Sequence, residues 1–317
     1  MTEHSSSIVG ASNPALPPQV IFTVDVEDWF HILDVPSTPR IDDWAQLPSR
    51  VEANLRRLLD LFNEKGARVT CFFLGWVAER YPHLVKECVR RGHEIASHGW
   101  AHRLVYEMTR GEFQEDARTS REVLEDLAGT SVRGYRASGF SVTEQTPWFF
   151  EELARAGYDY DSSVFPAARS HGGMANGKRA PYQIALNGKH LVEVPVSVAG
   201  LAGKPMCFFG GGYLRLFPYW LIRKKARQVL DAGRPVVFYI HPREIDPDHP
   251  RLPMSRSRRF KSYVNLHQTE TKIRRILEEF PVTTFREFLS SHAKQPATSL
   301  DVQEFPALCD GWPQANA

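Results

Sequence analysis

Four short clusters carry the reactive residues of this 317-residue chain, and each follows an apolar run. The first is Thr23-Val24-Asp25-Val26-Glu27-Asp28-Trp29. Three carboxylates within four residues repel one another, and burial at a strand end strips their hydration. A divalent cation offsets both costs, so the cluster reads as a metal ligand beside a general base, or else as a solvated acidic loop. The second, Ser97-His98-Gly99-Trp100-Ala101-His102, sets two imidazoles four residues apart. One helical turn or a tight loop presents both on one side. Two histidines with a carboxylate form a catalytic set for zinc and related metals; two surface histidines are the competing reading. In the third, Arg133-Gly134-Tyr135-Arg136-Ala137-Ser138-Gly139-Phe140, Arg136 can hold a nearby carboxylate ionised, or it is a surface arginine before a turn. Ser138-Gly139 can offer backbone N–H groups to an oxyanion. The fourth, Phe238-Tyr239-Ile240-His241-Pro242, ends the most apolar run of the chain. His241 suits a general acid or base, or a core histidine bonded to backbone.

Hydrophobic periodicity supplies the elements that must position these clusters. Residues 19–26, 67–74, 93–97, 132–136, 158–162, 191–198, 234–240 and 282–284 read as strands, with Pro195 marking an edge or a bulge. Ser49 with Glu52 forms a capping box ahead of a helix carrying Val51, Leu55, Leu58, Leu59 and Phe62, which Gly66 stops. Pro82 opens a second helix, Thr109 with Glu112 caps a third, and Thr146-Pro147 starts a fourth. Residues 218–232 and 269–280 are helical, and a last helix follows residue 284. Roughly seven β–α alternations predict an α/β fold, either a closed parallel barrel or a doubly wound sheet. In barrels the chemistry collects at the C-terminal ends of strands, where the clusters stand.

Composition narrows the class. Lys plus Arg is 39 against 37 for Asp plus Glu, a net charge of +2 that argues against a nucleic-acid partner. A hydrophobic content of 42% excludes global disorder. Cys71, Cys88, Cys207 and Cys309 form no C-x-x-C pair, so a thiolate zinc site is not expected. No apolar stretch has signal-peptide or membrane-span length, which predicts a soluble, cytoplasmic protein with no integral membrane segment. Residues 1–18 and 291–317 read as tails, the first disordered.

In their order along the chain, the carboxylate cluster, H-x-x-x-H, R-x-x-x-F and the strand-ending histidine resemble the polysaccharide deacetylase family (NodB homology, carbohydrate esterase family four). Thr23-Val24-Asp25-Val26-Glu27-Asp28, Phe209-Gly210-Gly211-Gly212-Tyr213-Leu214-Arg215, His241-Pro242-Arg243-Glu244-Ile245-Asp246-Pro247 and Asn265-Leu266 with Thr269-Glu270 resemble its exosortase-associated (PEP-CTERM locus) branch. The resemblance implies a distorted (β/α)7-type barrel over residues 19–290, with a branch-specific extension from about 242. It also implies a hydrolase that removes N-acetyl groups from amino sugars of a polysaccharide or lipid-linked glycan, in exopolysaccharide synthesis. By the same resemblance Asp25 is the catalytic base, Arg136 orients it, and His241 is the catalytic acid. A divalent metal, zinc by expectation, is held by Asp28, His98 and His102, with Glu27 as the rival to Asp28. Asp161 is a candidate acidic partner for the histidine. The chain departs from the family in the Val26-Glu27 spacing, in Tyr239, and in Ser138 and Phe140, which leaves the oxyanion donor open.

The expected partner is an N-acetylated glycan; the oligomeric state is open. Trp29, Trp100 and Phe140 either stack on sugar rings or pack in the core. Gly210-Gly211-Gly212 reads as a close-approach turn near the barrel mouth. The basic run at residues 256–261 reads as a solvated loop, or as a contact for an anionic glycan or lipid head group. Rival functions are hydrolysis of another C–N amide bond, in a formamido sugar or cyclic ureide, and carbohydrate binding without catalysis.

Overall fold

The computed structural model describes residues 19–33, 35–169, 172–186, 189–293 and 301–304. The residues 1–18 and Cys309, both considered above, lie outside this set. The strands are β1 (Val20–Val26), β2 (Thr70–Phe73), β3 (Glu94–Ser97), β4 (Gly134–Tyr135), β5 (Tyr160–Asp161), β6 (Tyr182–Leu186), β7 (Lys189–Glu193), β8 (Ala199–Leu201), β9 (Lys204–Met206), β10 (Val236–Ile240), β11 (Val282–Thr283) and β12 (Asp301–Glu304). The main sheet runs β10-β1-β2-β3-β4-β5-β7-β6-β12, and β11 also pairs with β1. From β10 to β7 every neighbour is parallel, which gives the seven strands expected of the α/β barrel. Among the described residues the backbone ladder stays open between β7 and β10. Ser197 spans this seam: its hydroxyl accepts the Val237 N–H at 2.9 Å and donates to the Pro235 carbonyl at 3.0 Å.

β1 is central, and all seven of its residues are buried, as a parallel strand covered on both faces requires. Phe22 packs edge-on to Phe62 at 5.6 Å and stacks on Phe238 at 5.9 Å. Phe62 belongs to the Val51–Glu64 helix, which also buries Val51, Leu55, Leu58, Leu59 and Leu61 against the sheet. The Thr109–Glu112 capping box forms at the start of Arg110–Ala128 as the sequence predicts. Cys71, Cys88 and Cys207 are buried free thiols. No described helix is long and apolar enough to cross a membrane.

Several elements differ from the sequence reading. Ser49 does not cap the Val51–Glu64 helix; its hydroxyl donates to Asp28 Oδ2 at 2.5 Å. Asp28 itself caps that helix, accepting the backbone N–H of Arg50 at 3.0 Å and of Val51 at 3.2 Å. An acceptor carried by another segment has displaced the local one. The strand expected at 191–198 is β7, ending before Pro195, and its hairpin partner β6 and the β8–β9 hairpin were not anticipated. The basic run is not a loop: Arg256–Tyr263 is a helix capped by Ser255. The last helix runs Phe285–Ala293, and Asp301–Glu304 pairs with β6, so part of the segment read as a C-terminal tail lies in regular structure.

Two substitutions test these supports. Ser197→Ala strands a buried N–H at the seam and is expected to cost about 1–3 kcal/mol. Asp28→Ala removes the helix cap and is expected to cost about 2 kcal/mol. Chemical denaturation measures both; an unchanged midpoint would show that the contact contributes nothing.

Candidate active site and metal centre

The strand ends deliver the reactive side chains into one cleft of about 310 Å³, lined by Asp25, Glu27, His98, His102 and His241 among others. β1 and β10 are in register with Val24 opposite Ile240, so the next residues, Asp25 and His241, emerge side by side. His241 Nε2 lies 3.9 Å from Asp25 Oδ2 and 3.2 Å from Glu27 Oε1. Arg136, leaving the end of β4, is fully buried, and its Nη1 meets Asp25 Oδ1 at 2.6 Å. The same nitrogen donates to Thr23 Oγ1 at 2.7 Å, and Nε donates to the Ser162 carbonyl at 3.3 Å. The guanidinium lies 4.1 Å from the centre of the Phe72 ring. The cation is therefore held on several sides, which fixes the orientation of Asp25.

Glu27, His98 and His102 form a second group, with ligand atoms all within 4.8 Å of one another. Glu27 follows Asp25 through a three-residue turn in which its N–H returns to the Asp25 carbonyl at 3.0 Å. Its Oε2 lies 2.7 Å from His102 Nε2. His98 Nδ1 faces the Arg136 carbonyl at 2.8 Å. A carbonyl only accepts, so Nδ1 carries the proton and Nε2 keeps its lone pair for a ligand. Burial pushes the His98 pKa down to about 4, which leaves a neutral imidazole, the form that binds a metal. Burial works against the Glu27 carboxylate, but His102 and then His241 outweigh it and hold its pKa well below the usual range. One carboxylate after β1 and two imidazoles after β3 fit a zinc-class cation.

The structure places Asp28, the preferred sequence assignment, away from the two histidines. Its carboxylate points out of the cleft and is saturated by Ser49, Trp29, Arg50 and Val51, whose donors partly offset the rise that burial imposes on its pKa. Glu27 takes the position in the cluster instead. Asp161 is not beside His241 either; it accepts the Ser163 hydroxyl and N–H deep in the sheet. On the Nδ1 side the acidic neighbour of His241 is Glu244, with Oε2 3.6 Å from Nδ1 and 3.3 Å from the His241 backbone nitrogen. Glu244 pairs in turn with buried Arg215. Burial opposes ionisation of Glu244, but Arg215 and His241 prevail and its pKa falls to about 2. Burial likewise opposes a charge on His241, yet Glu27 and Glu244 prevail and raise its pKa. The sequence reading missed Glu244 and Arg215 as site residues; the spacing of three from His241 was the available signal for the first.

Two further placements matter. His31, also missed, lines the cleft with Nδ1 accepting the Asp28 N–H at 3.0 Å, so its Nε2 carries a proton into buried surroundings. Among the candidate stacking residues, Phe140 lines the cleft, whereas Trp29 and Trp100 do not. Gly210 behaves as the sequence suggests: a Cβ there would lie 2.2 Å from the Tyr239 ring.

Residues 41–160 match the polysaccharide deacetylase family model, and residues 162–290 match a domain of unknown function, DUF3473. His98, His102 and Arg136 fall within the first match and His241 within the second, whereas Asp25 and Glu27 precede both. A peptidoglycan deacetylase of Helicobacter pylori is 31% identical over 113 residues, 36% of this chain and 38% of that protein. A peptidoglycan-N-acetylglucosamine deacetylase of Bacillus cereus is 28% identical over 97 residues, 30% of this chain and 35% of that protein. The chain thus spans little more than a third of the length of these curated relatives. A structure from Mycobacterium smegmatis, solved as a candidate polysaccharide deacetylase, superposes with a TM-score of 0.59 at 22% identity, over 89% of this chain and 92% of that one. The PuuE allantoinase superposes with the same TM-score, 0.59, at 16% identity, over 94% of this chain and all (100%) of that one. These two likenesses establish the fold, and the family-model match and the two curated relatives show that part of the chain is similar to polysaccharide deacetylases.

Proposed function

We propose that this chain is a metal-dependent deacetylase acting on N-acetylated amino sugars of a polysaccharide or lipid-linked glycan, in exopolysaccharide synthesis. The observation that carries the reading is the meeting, in one cleft, of the Arg136-held Asp25, the Glu27–His98–His102 set and His241. The curated relatives named as deacetylases favour this reaction. Arg215 and Glu244 come from two of the motifs that suggest the exosortase-associated branch, and their ion pair joins those motifs in support of it.

Glu27, His98 and His102 would hold the cation, zinc by our reading, which when bound supplies Lewis acidity to activate water and polarise the acetamido carbonyl. Asp25, oriented by Arg136, takes the proton from the attacking water. Water oxygen bonds to the carbonyl carbon, which becomes tetrahedral. His241, protonated and steadied by Glu244, gives its proton to the sugar nitrogen. The C–N bond then breaks, releasing acetate and the free amine.

An acetate-release assay on N-acetylated oligosaccharides tests this. Activity should vanish on chelation and return on zinc add-back, and Glu27→Ala should lose bound metal. Asp25→Asn and His241→Ala should each lower turnover by about 10²–10⁴-fold with the fold intact by circular dichroism. Near-normal turnover in either folded variant, or hydrolysis of allantoin alone, would overturn the reading.

Glu244 gives a stability prediction with a defined sign. Its pKa is about 2 in the folded chain against an ordinary 4.5, so its contribution is complete above 4.5 and lost as pH falls toward 2. Glu244→Gln should leave Arg215 buried and unpaired, at about 3–5 kcal/mol near neutral pH. It should also flatten the acid limb of stability between pH about 5 and about 3, read by urea unfolding. An acid limb as steep as that of the wild type would show that Glu244 is not the group responsible.

A further inference from the structure

The cleft that holds the catalytic groups is also lined by five basic side chains, Arg169, Arg215, Arg243, Arg258 and Lys261, against three carboxylates, Asp25, Glu27 and Glu244. The three carboxylates are all buried on its floor, whereas Lys261 is exposed at its mouth. A bound divalent cation would make the imbalance larger. Most of the basic groups already have assigned work. Arg215 serves Glu244 and donates to the Lys261 and Ser262 carbonyls at 2.8 and 3.0 Å, which fastens the basic Arg256–Tyr263 helix to the cleft. Arg169 donates to the Gly139 carbonyl at 2.9 Å, and Arg258 donates to the Leu33 carbonyl at 2.6 Å.

Arg243 differs. Its Nε and Nη1 are buried and have no hydrogen-bond partner among the described residues. It lines the same cleft as Glu27, His241 and Arg215, and its charge is felt by all three. A buried guanidinium N–H without an acceptor is costly, and the planar fork matches a carboxylate or phosphate better than a hydroxyl. Phe260, 56% exposed beside Lys261 on the same rim, adds an apolar face for a sugar ring.

We infer that the substrate is an anionic glycan, in which a carboxylate- or phosphate-bearing group next to the acetylated amino sugar is received by Arg243, with Arg258 and Lys261 at the mouth. This inference rests on the deacetylase reading of the same cleft and deepens it.

Three probes test it: tetra-N-acetylchitotetraose as the neutral arm, an oligosaccharide alternating glucuronate with N-acetylglucosamine as the carboxylate arm, and UDP-N-acetylglucosamine as the phosphate arm. Acetate release gives kcat and KM, and calorimetry on the zinc-loaded Asp25→Asn protein gives binding without turnover. One anionic arm should be preferred over the neutral arm by about tenfold or more, and the preference should shrink as salt is raised. Arg243→Gln should bring the preference close to unity through KM, Arg243→Lys should restore part of it, and Lys261→Gln should weaken it less. Should Arg243→Gln fail to fold, the Lys261→Gln variant and the salt dependence decide. Equal or better use of the neutral arm overturns the inference while the deacetylase reading stands. So does an Arg243→Gln protein that loses kcat equally on all probes with KM kept, because the guanidinium then serves the transition state. Binding to phosphatidylglycerol vesicles without preference among the soluble probes also overturns it, giving the basic helix to a lipid surface. Absence of acetate release from every probe overturns the deacetylase reading; calorimetry then still decides this inference, since tighter anionic binding supports it and equal binding overturns it.

Discussion

The ion pair between Arg136 and Asp25 is the constraint around which the cleft is built. Neither partner reaches solvent appreciably, with Arg136 at 0% and Asp25 at 2% exposure. A guanidinium in that position is tolerable only if every donor finds an acceptor and its faces find aromatic rings. Thr23 and Asp25 from β1, Ser162 after β5 and the Phe72 ring from β2 meet that demand together. The Arg136 carbonyl then fixes the tautomer of His98. One residue thus ties Asp25, the strands β1, β2 and β5, and the His98 imidazole into a single arrangement.

Much of this was legible in the chain. The order of apolar runs and the reactive residues after them indicated a parallel α/β fold with its chemistry at one end, and the structure has both. Asp25, His98, His102, Arg136 and His241 were singled out from their types and positions, and they line or support one cleft. Asp28 lies apart from the two histidines because adjacency in sequence says nothing about direction. A three-residue turn sends Glu27 inward, and a helix that lacks its own side-chain cap draws Asp28 away. The rival reading named Glu27, the carboxylate that the fold groups with His98 and His102.

The pieces that escaped the sequence reading depend on long-range partners. Glu244 is three residues from His241, but its significance comes from Arg215, twenty-nine positions earlier. The basic segment Arg256–Tyr263 looks like a loop because its mean hydropathy is very low; tertiary contacts from Arg215 hold its C-terminal end in place as a helix. Intrinsic propensity is a weak prior when such anchors exist.

The open seam has a consequence for how this architecture can vary. The spacing of Asp25 and His241 is set by the β1–β10 ladder, whose register is fixed by five residue pairs. The chain between β7 and β10, by contrast, meets that ladder through the Ser197 side chain and a single bridge from Gly210 to Tyr239. Length changes in that stretch would therefore reshape the wall formed by Gly211, Tyr213 and Leu216 while the reacting groups keep their distances. The cleft thus has two kinds of wall: one held by a continuous backbone ladder, and one held by a side chain and a single bridge.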